Sequence, residues 1–198
     1  MTNSKPFLNS VNLLDDLAKL ISVTHQKAIA TDPDMYIVDN INFLSKSFVV
    51  IMCIYLETYL KDAISLVIEE TNKKLKKVSI PHNLVRWGLD PKKEFSDKDY
   101  LFKPFEIKID AKSIDDNISG NFWRTRATFS KIGIKLDNNP NYLNYENRVS
   151  TIIAKRNNIV HYNDDASDMS FNDIVTQIKF IQEYMLTIDT EIIKHIGI

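Results

Sequence analysis

Cysteine is almost missing from this chain. Cys53 is the only one in 198 residues, so no intramolecular disulfide can form and no cysteine cluster can hold zinc. Four glycines and six prolines leave little room for long disordered linkers, and neither a Gly-rich phosphate loop nor a nucleophile-elbow glycine motif is present. Long apolar runs are lacking as well. The longest, Phe48 to Leu56, is bounded by Lys46 and Glu57 and is too short to span a bilayer, and the start, Met1 to Pro6, has no apolar signal core. The expectation is a cytoplasmic protein with no membrane segment. Neither sign of charge dominates, with 25 Lys and Arg against 26 Asp and Glu, so composition alone does not make it a polyanion binder. Histidine is sparse: His25, His82 and His195 stand isolated, without metal-ligand spacing, and suggest surface or helix-end positions.

What is present is globular usage, 44% hydrophobic and 26% charged, in a length that suits one domain over residues 1–198 with a real core. Helical periodicity runs through most of it. Phe7, Val11, Leu14, Leu17, Ala18 and Ile21 share a stripe and predict a helix over residues 7–29, ended by Thr31-Asp32-Pro33-Asp34. Ile41, Leu44, Phe48, Met52, Tyr55, Leu56, Tyr59, Ala63 and Val67 predict a second helix, apolar on so many sides that its middle should be buried nearly all round. Its lysine-rich exit, Asn72 to Lys77, suits a helix C-terminus.

Residues 78–113 break the pattern at Pro81, Gly88, Pro91 and Pro104, and read as an insertion. Within it Phe105 to Asp110 alternates apolar and polar, the period of a strand, with Val78 to Ile80 as the candidate partner. Ile118, Phe122, Phe129 and Ile132 then predict one short helix, with Gly133 placed to end it in a left-handed conformation. After the Asn138-Asn139-Pro140 turn, Leu143, Val149, Ile152, Ile153 and Val160 predict a helix running toward His161. A polar turn follows, and Ser170 to Asp173 has capping-box spacing ahead of a last amphipathic helix through Ile192. The expected fold is all-α: an antiparallel bundle of about five main helices with one irregular insertion that can hold a short strand.

Charge distribution says more than net charge. Between residues 121 and 158, Arg124, Arg126, Lys131, Lys135, Arg148, Lys155 and Arg156 face only Asp137 and Glu146, whereas residues 159–198 are acidic. A basic face there would attract phosphate backbones in a salt-dependent way, with Arg124, Arg126 and Lys155 as candidate RNA contacts; the alternative is a solvated surface with ordinary charge fluctuation. Trp123 beside Arg124 and Arg126 offers stacking for RNA or, alternatively, a core indole beside surface arginines.

The candidate chemistry sits where the penultimate helix ends. Asn157 and His161 are four apart and share a helical face, and Arg156, rotated by about 100°, is long enough to reach the same pocket. A histidine can move a proton near neutral pH, a guanidinium can grip a phosphate, and an amide can orient either. Together they supply what RNA self-cleavage by the 2′-hydroxyl needs, without a metal or other cofactor. The plainer alternative pairs Arg156 with an acid and leaves His161 bound to a carbonyl. Glu57, on the apolar second helix, needs a cation or solvent, and Arg156 and some other basic side chain are equal candidates.

The segment Val149 to Tyr162, followed by an Asp-rich turn and a final amphipathic helix, resembles the HEPN superfamily (higher eukaryotes and prokaryotes nucleotide-binding). Its mark is an Arg, commonly followed by Asn, then a His four to six residues after the Arg, and Arg156, Asn157 and His161 match it position by position. Tyr55 to Asp62 resembles the acidic earlier helix of its nuclease-like branch, and the likeness spans residues 38–75 and 115–195. The resemblance implies an endoribonuclease, with RNA as substrate, in toxin–antitoxin or phage-defence settings. It also implies a homodimer with facing motifs, and a partner such as an antitoxin or a nucleotidyltransferase. Some relatives do not cleave, which leaves a nucleotide- or protein-binding module as the second function.

Overall fold

The computed structural model describes residues 3–197. Helix α1, Lys5–Ala28, begins at Ser4, whose hydroxyl accepts from the Phe7 N–H, and it buries Phe7, Leu14, Leu17 and Ile21. Ser4 also donates its N–H (3.0 Å) and its hydroxyl to the carboxylate of Asp189, which stands fully buried on the last helix. Burial holds that carboxyl above its ordinary range, while the two Ser4 bonds oppose the shift. A short α2, Met35–Asp39, capped by Asp34, follows the expected break and was not expected itself.

Helix α3, Ile41–Val78, is the axis of the molecule and packs against α1 and two later helices. By length and hydropathy it could cross a membrane, which the Phe48–Leu56 run alone did not suggest; nearly half of its most apolar window is buried inside the fold, as in a core helix. It is not covered on every side, however. Phe43 and Ile54 stand in solvent and Val50 and Ile51 are half-buried, so the expectation of near-complete burial is corrected for this face.

The insertion forms α4, His82–Leu89, and returns without a strand. Its only pairing among the described residues is an isolated antiparallel bridge at Pro81 and Pro104, where His82 donates to Lys103 O (3.1 Å) and Phe105 to Ile80 O (2.7 Å). Two prolines lack the N–H that would extend this ladder. The alternating segment is held instead by a side chain: the Asn72 amide donates to Ile107 O (2.9 Å) and accepts from Ile107 N (2.8 Å), standing in for one residue of a neighbouring strand. The chain then descends beside α3. Glu106 faces Lys76 (3.7 Å), Ile107 meets Asn72 and Asp115 pairs with Lys61 (2.8 Å).

The predicted third helix is α6, Phe122–Lys131; Ile118 falls outside it, in extended backbone after an unexpected short α5, Ala111–Asn117, and the two helices are separated at Gly120, whose φ of 66° no helix accommodates. Gly133 ends the second of them left-handed, φ 84°, as its position suggested. Two short 3-10 turns, Leu136–Asn138 and Tyr142–Tyr145, lead into α7, Glu146–Tyr162, and α8, Phe171–Ile196, opens on the Ser170–Asp173 capping box. Val149, Ile152 and Ile153 are buried as expected, but Leu143 precedes α7 and is exposed, and near the end of α7 Ile159 is buried while Val160 faces solvent. One hydrophobic cluster draws on α1, α3, α6, α7 and α8, and no strand forms among the described residues. The fold is all-α, with five main helices and three short ones among the described residues.

Candidate active site

Helix α7 stops at Tyr162 because Asn163 turns left-handed, φ 54°, and α3 holds that turn in place. Lys46 donates to both Asn163 O and Asn163 Oδ1 (3.1 Å each), and the Asn42 amide donates to Asp165 (2.9 Å) while accepting from Ala166 N (2.9 Å). Lys155 completes the clamp from α7, binding Asp168 (2.7 Å), Asp164 (3.4 Å) and the Asp165 carbonyl. The bond to Lys155 lowers the Asp168 carboxyl, and the Asn42 bond followed by Lys46 lowers that of Asp165. The Lys155 ammonium, a candidate RNA contact by sequence, is thus turned into the acidic turn rather than toward a groove.

One turn back along α7, Arg156 reaches α3. Its Nη2 lies 3.5 Å from Glu57 Oε1 and its Nη1 donates to Asn157 Oδ1 (3.0 Å), so the guanidinium is held between a carboxylate and an amide. The side chains of Arg156 and Glu57 are only 22% and 17% exposed, and Arg156 Nε is enclosed without a protein partner. Of the two cations open to Glu57 in the sequence, the fold brings it Arg156. Cys53, one turn before Glu57, is buried, and burial pushes its thiol up to about 12, with Arg156 pulling the other way and Glu57 adding a smaller push.

Sequence reasoning missed Gly120. Its left-handed backbone is pressed against this pair: a Cβ there would lie 2.8 Å from Ile153 Cδ1 and 3.5 Å from Glu57 Cγ. The turn it makes lays Ser119 and Asn121 opposite α7, and together with Arg124, Ile153, Arg156 and Asn157 they line an open groove of about 400 Å³. The signal in the sequence was small, a lone Gly followed by Asn and an apolar residue, which marks a turn and a helix cap but says nothing about what they face.

Not all the expected residues meet. Arg156, Asn157 and Arg124 share the groove, with Glu57 behind them. His161 is exposed one helical turn beyond Asn157, with the Tyr162 ring as its aromatic neighbour (6.5 Å), and it makes no hydrogen bond among the described residues. Arg126 faces away, forming three bonds to Asp137 and lying over the Trp123 ring (5.1 Å), while the Trp123 indole donates to Glu146 (3.0 Å). No three His, Cys, Asp or Glu side chains converge to hold a metal ion among the described residues.

Compared with known sequences, residues 11–194 match the model of a family described as RiboL-PSP-HEPN. No curated protein and no solved structure matches the chain.

Proposed function

Because this chain belongs to the RiboL-PSP-HEPN family and so to the HEPN superfamily, we propose that it is a metal-independent endoribonuclease whose centre is Arg156, Asn157 and His161. The observation that carries the reading is the arrangement of Arg156: an arginine held by Glu57 and Asn157 at the edge of an open polar groove, one turn from an unencumbered histidine. In this reading RNA lies over the groove with one phosphate at Arg156. His161 takes the proton of the 2′-hydroxyl as its oxygen attacks the adjacent phosphorus, and the guanidinium neutralises charge building on the phosphorane. The bond to the 5′-oxygen breaks as that oxygen takes a proton from the partner subunit's His161; the products are a 2′,3′-cyclic phosphate and a 5′-hydroxyl. A planar fork suits two phosphate oxygens better than a point charge does.

One His161 cannot be base and acid at opposite ends of the same in-line step, so the working unit is a two-fold homodimer with both motifs at the interface. The surface supports this. Phe43 and Ile54 on α3 and Val160 and Tyr162 on α7 expose apolar side chains on the helices that carry Lys46, Glu57 and Arg156, with Ile54, Val160 and Tyr162 exposed to 44%, 50% and 80%. The cell would need such an enzyme restrained, which fits a cytoplasmic toxin or phage-defence effector with an antitoxin or nucleotidyltransferase-type partner.

The test is incubation of the purified protein and of His161→Ala with mixed RNA in EDTA. Cleavage by the parent, cyclic-phosphate ends and none from the folded variant support the reading. Intact RNA with both proteins would leave a non-catalytic binding module.

A further inference from the structure

The seven basic residues between positions 121 and 158 meet different fates in the fold. Arg126 is bound by Asp137, Lys155 by Asp164 and Asp168, Arg156 by Glu57; Lys131 donates to Asn117 Oδ1 (2.6 Å) and Arg148 lies over the Phe180 ring (4.3 Å). Among the described residues only Arg124 and Lys135 keep their charge free of such a partner, and of these only Arg124 lines the groove with Arg156. Arg124 is exposed, on the first turn of α6, so its fork is hydrated and available. Its backbone N–H is already taken by the Asn121 side chain (2.9 Å), so the helix end itself is capped and the guanidinium is the group left to bind.

The two arginines reach the groove from different helices. Arg156 comes from α7, while Arg124 comes from α6 across the turn that Gly120 makes against Glu57 and Ile153. The other described residues that line the groove are Ser119, Asn121, Asn157 and Ile153, all uncharged, and the three polar ones can bond ribose hydroxyls or phosphate oxygens. A groove of about 400 Å³ is within the size range that accepts a nucleotide-sized group. Two cations in one such groove, with no acid among its lining residues, fit a strand that carries negative charge at each nucleotide.

We propose that Arg124 forms a second phosphate subsite, so that this site takes single-stranded RNA with the scissile phosphate at Arg156 and a neighbouring phosphate of the same strand at Arg124. The proposal rests on the ribonuclease reading for which phosphate is cut, but not for whether the strand is held. The energetic role of Arg124 is in binding: removing it takes away one phosphate contact and one released counterion.

Two measurements test it. The first compares cleavage of a dinucleotide, which has only the scissile phosphodiester, with that of a trinucleotide carrying one more. The parent should prefer the trinucleotide in kcat/KM by about tenfold, the lower end of what one charge-assisted contact gives. Arg124→Gln should bring that ratio close to one, and Lys179→Gln, the same charge change at an exposed position on α8, should keep it. The second measures binding of a fluorescent hexanucleotide to His161→Ala, with and without Arg124→Gln, across a salt series. The double variant should bind about tenfold more weakly, with the slope of log affinity against log salt reduced by about 0.7. An undiminished trinucleotide preference and an unchanged salt slope in Arg124→Gln would overturn the subsite, whatever the parent cleaves. If no protein cleaves yet Arg124→Gln still loses hexanucleotide affinity and slope, the subsite stands and the ribonuclease reading falls.

Discussion

Replacing Glu57 by Gln tests whether the carboxylate behind Arg156 is part of the machinery. The change is nearly isosteric and removes one charge. At 3.5 Å and an effective dielectric near 20, the pair attracts by about 5 kcal/mol before the cost of leaving water is subtracted. Breaking a fully buried pair costs about 3–5 kcal/mol, most of it the penalty of the stranded charge. Here about a fifth of each side chain reaches solvent and Arg156 keeps its bond to Asn157, so about 2 kcal/mol of stability should be lost. For a chain of this size that lowers the melting temperature by about 4–8 °C. The kinetic effect has a sharper signature. Without Glu57 the guanidinium carries its full charge, so RNA should bind more tightly and KM should fall. With one of its two anchors gone it is also less well aimed, so kcat should drop about tenfold. The assay is cleavage of a fluorogenic RNA in EDTA, fitted over substrate concentration and paired with thermal unfolding. A variant with parental kcat, KM and melting temperature would refute the claim that the pair either stabilises the fold or positions Arg156.

Three further outcomes follow from the same geometry. Arg156→Lys retains the charge but not the planar fork, and should lose about 90% or more of RNA cleavage in the EDTA assay while its circular dichroism spectrum stays parental. Gly120→Ala sets a Cβ against Ile153 and Glu57 at a φ of 66°, and should cost about 1–3 kcal/mol by urea unfolding and lower kcat by moving the groove wall; parental values would mean the turn relaxes freely. Asp189 has a carboxyl raised above its ordinary 3.8, so the native state keeps a proton that the unfolded chain releases. Its contribution is therefore most favourable below 3.8 and declines as pH climbs through the raised value. Asp189→Asn should remove that decline, and an unaltered stability–pH slope in urea titrations would show that the buried carboxyl does not titrate in this window.

Much of this molecule was legible along the chain. Helix α1 was expected from residue 7 and starts two residues earlier because Ser4 caps it, and α8 starts where Ser170 and Asp173 form the expected box. The motif on α7 was readable for the same reason, since residues four apart in a helix share a face whatever surrounds them. The failures cluster where a local pattern had two tertiary outcomes. Phe105 to Asp110 has the period of a strand, but it met the Asn72 amide and no backbone edge. Val160 matched the apolar stripe, yet the fold buries Ile159 and leaves Val160 beside Tyr162 in solvent.

What the sequence by itself determined is the all-α class, the order of the main helices, the capping box of α8 and the placing of Arg156, Asn157 and His161 on one helix, because all of these arise from interactions spanning a few residues. Only the tertiary structure decided that Glu57 would be the partner of Arg156, that Lys155 and Arg126 would spend their charge on Asp168 and Asp137, and that Arg124 would remain free across a groove. Equivalent lysines and arginines look alike in sequence. Which of them is neutralised depends on where α3, α6 and α7 cross, and that is set by the packing of apolar side chains elsewhere on those helices.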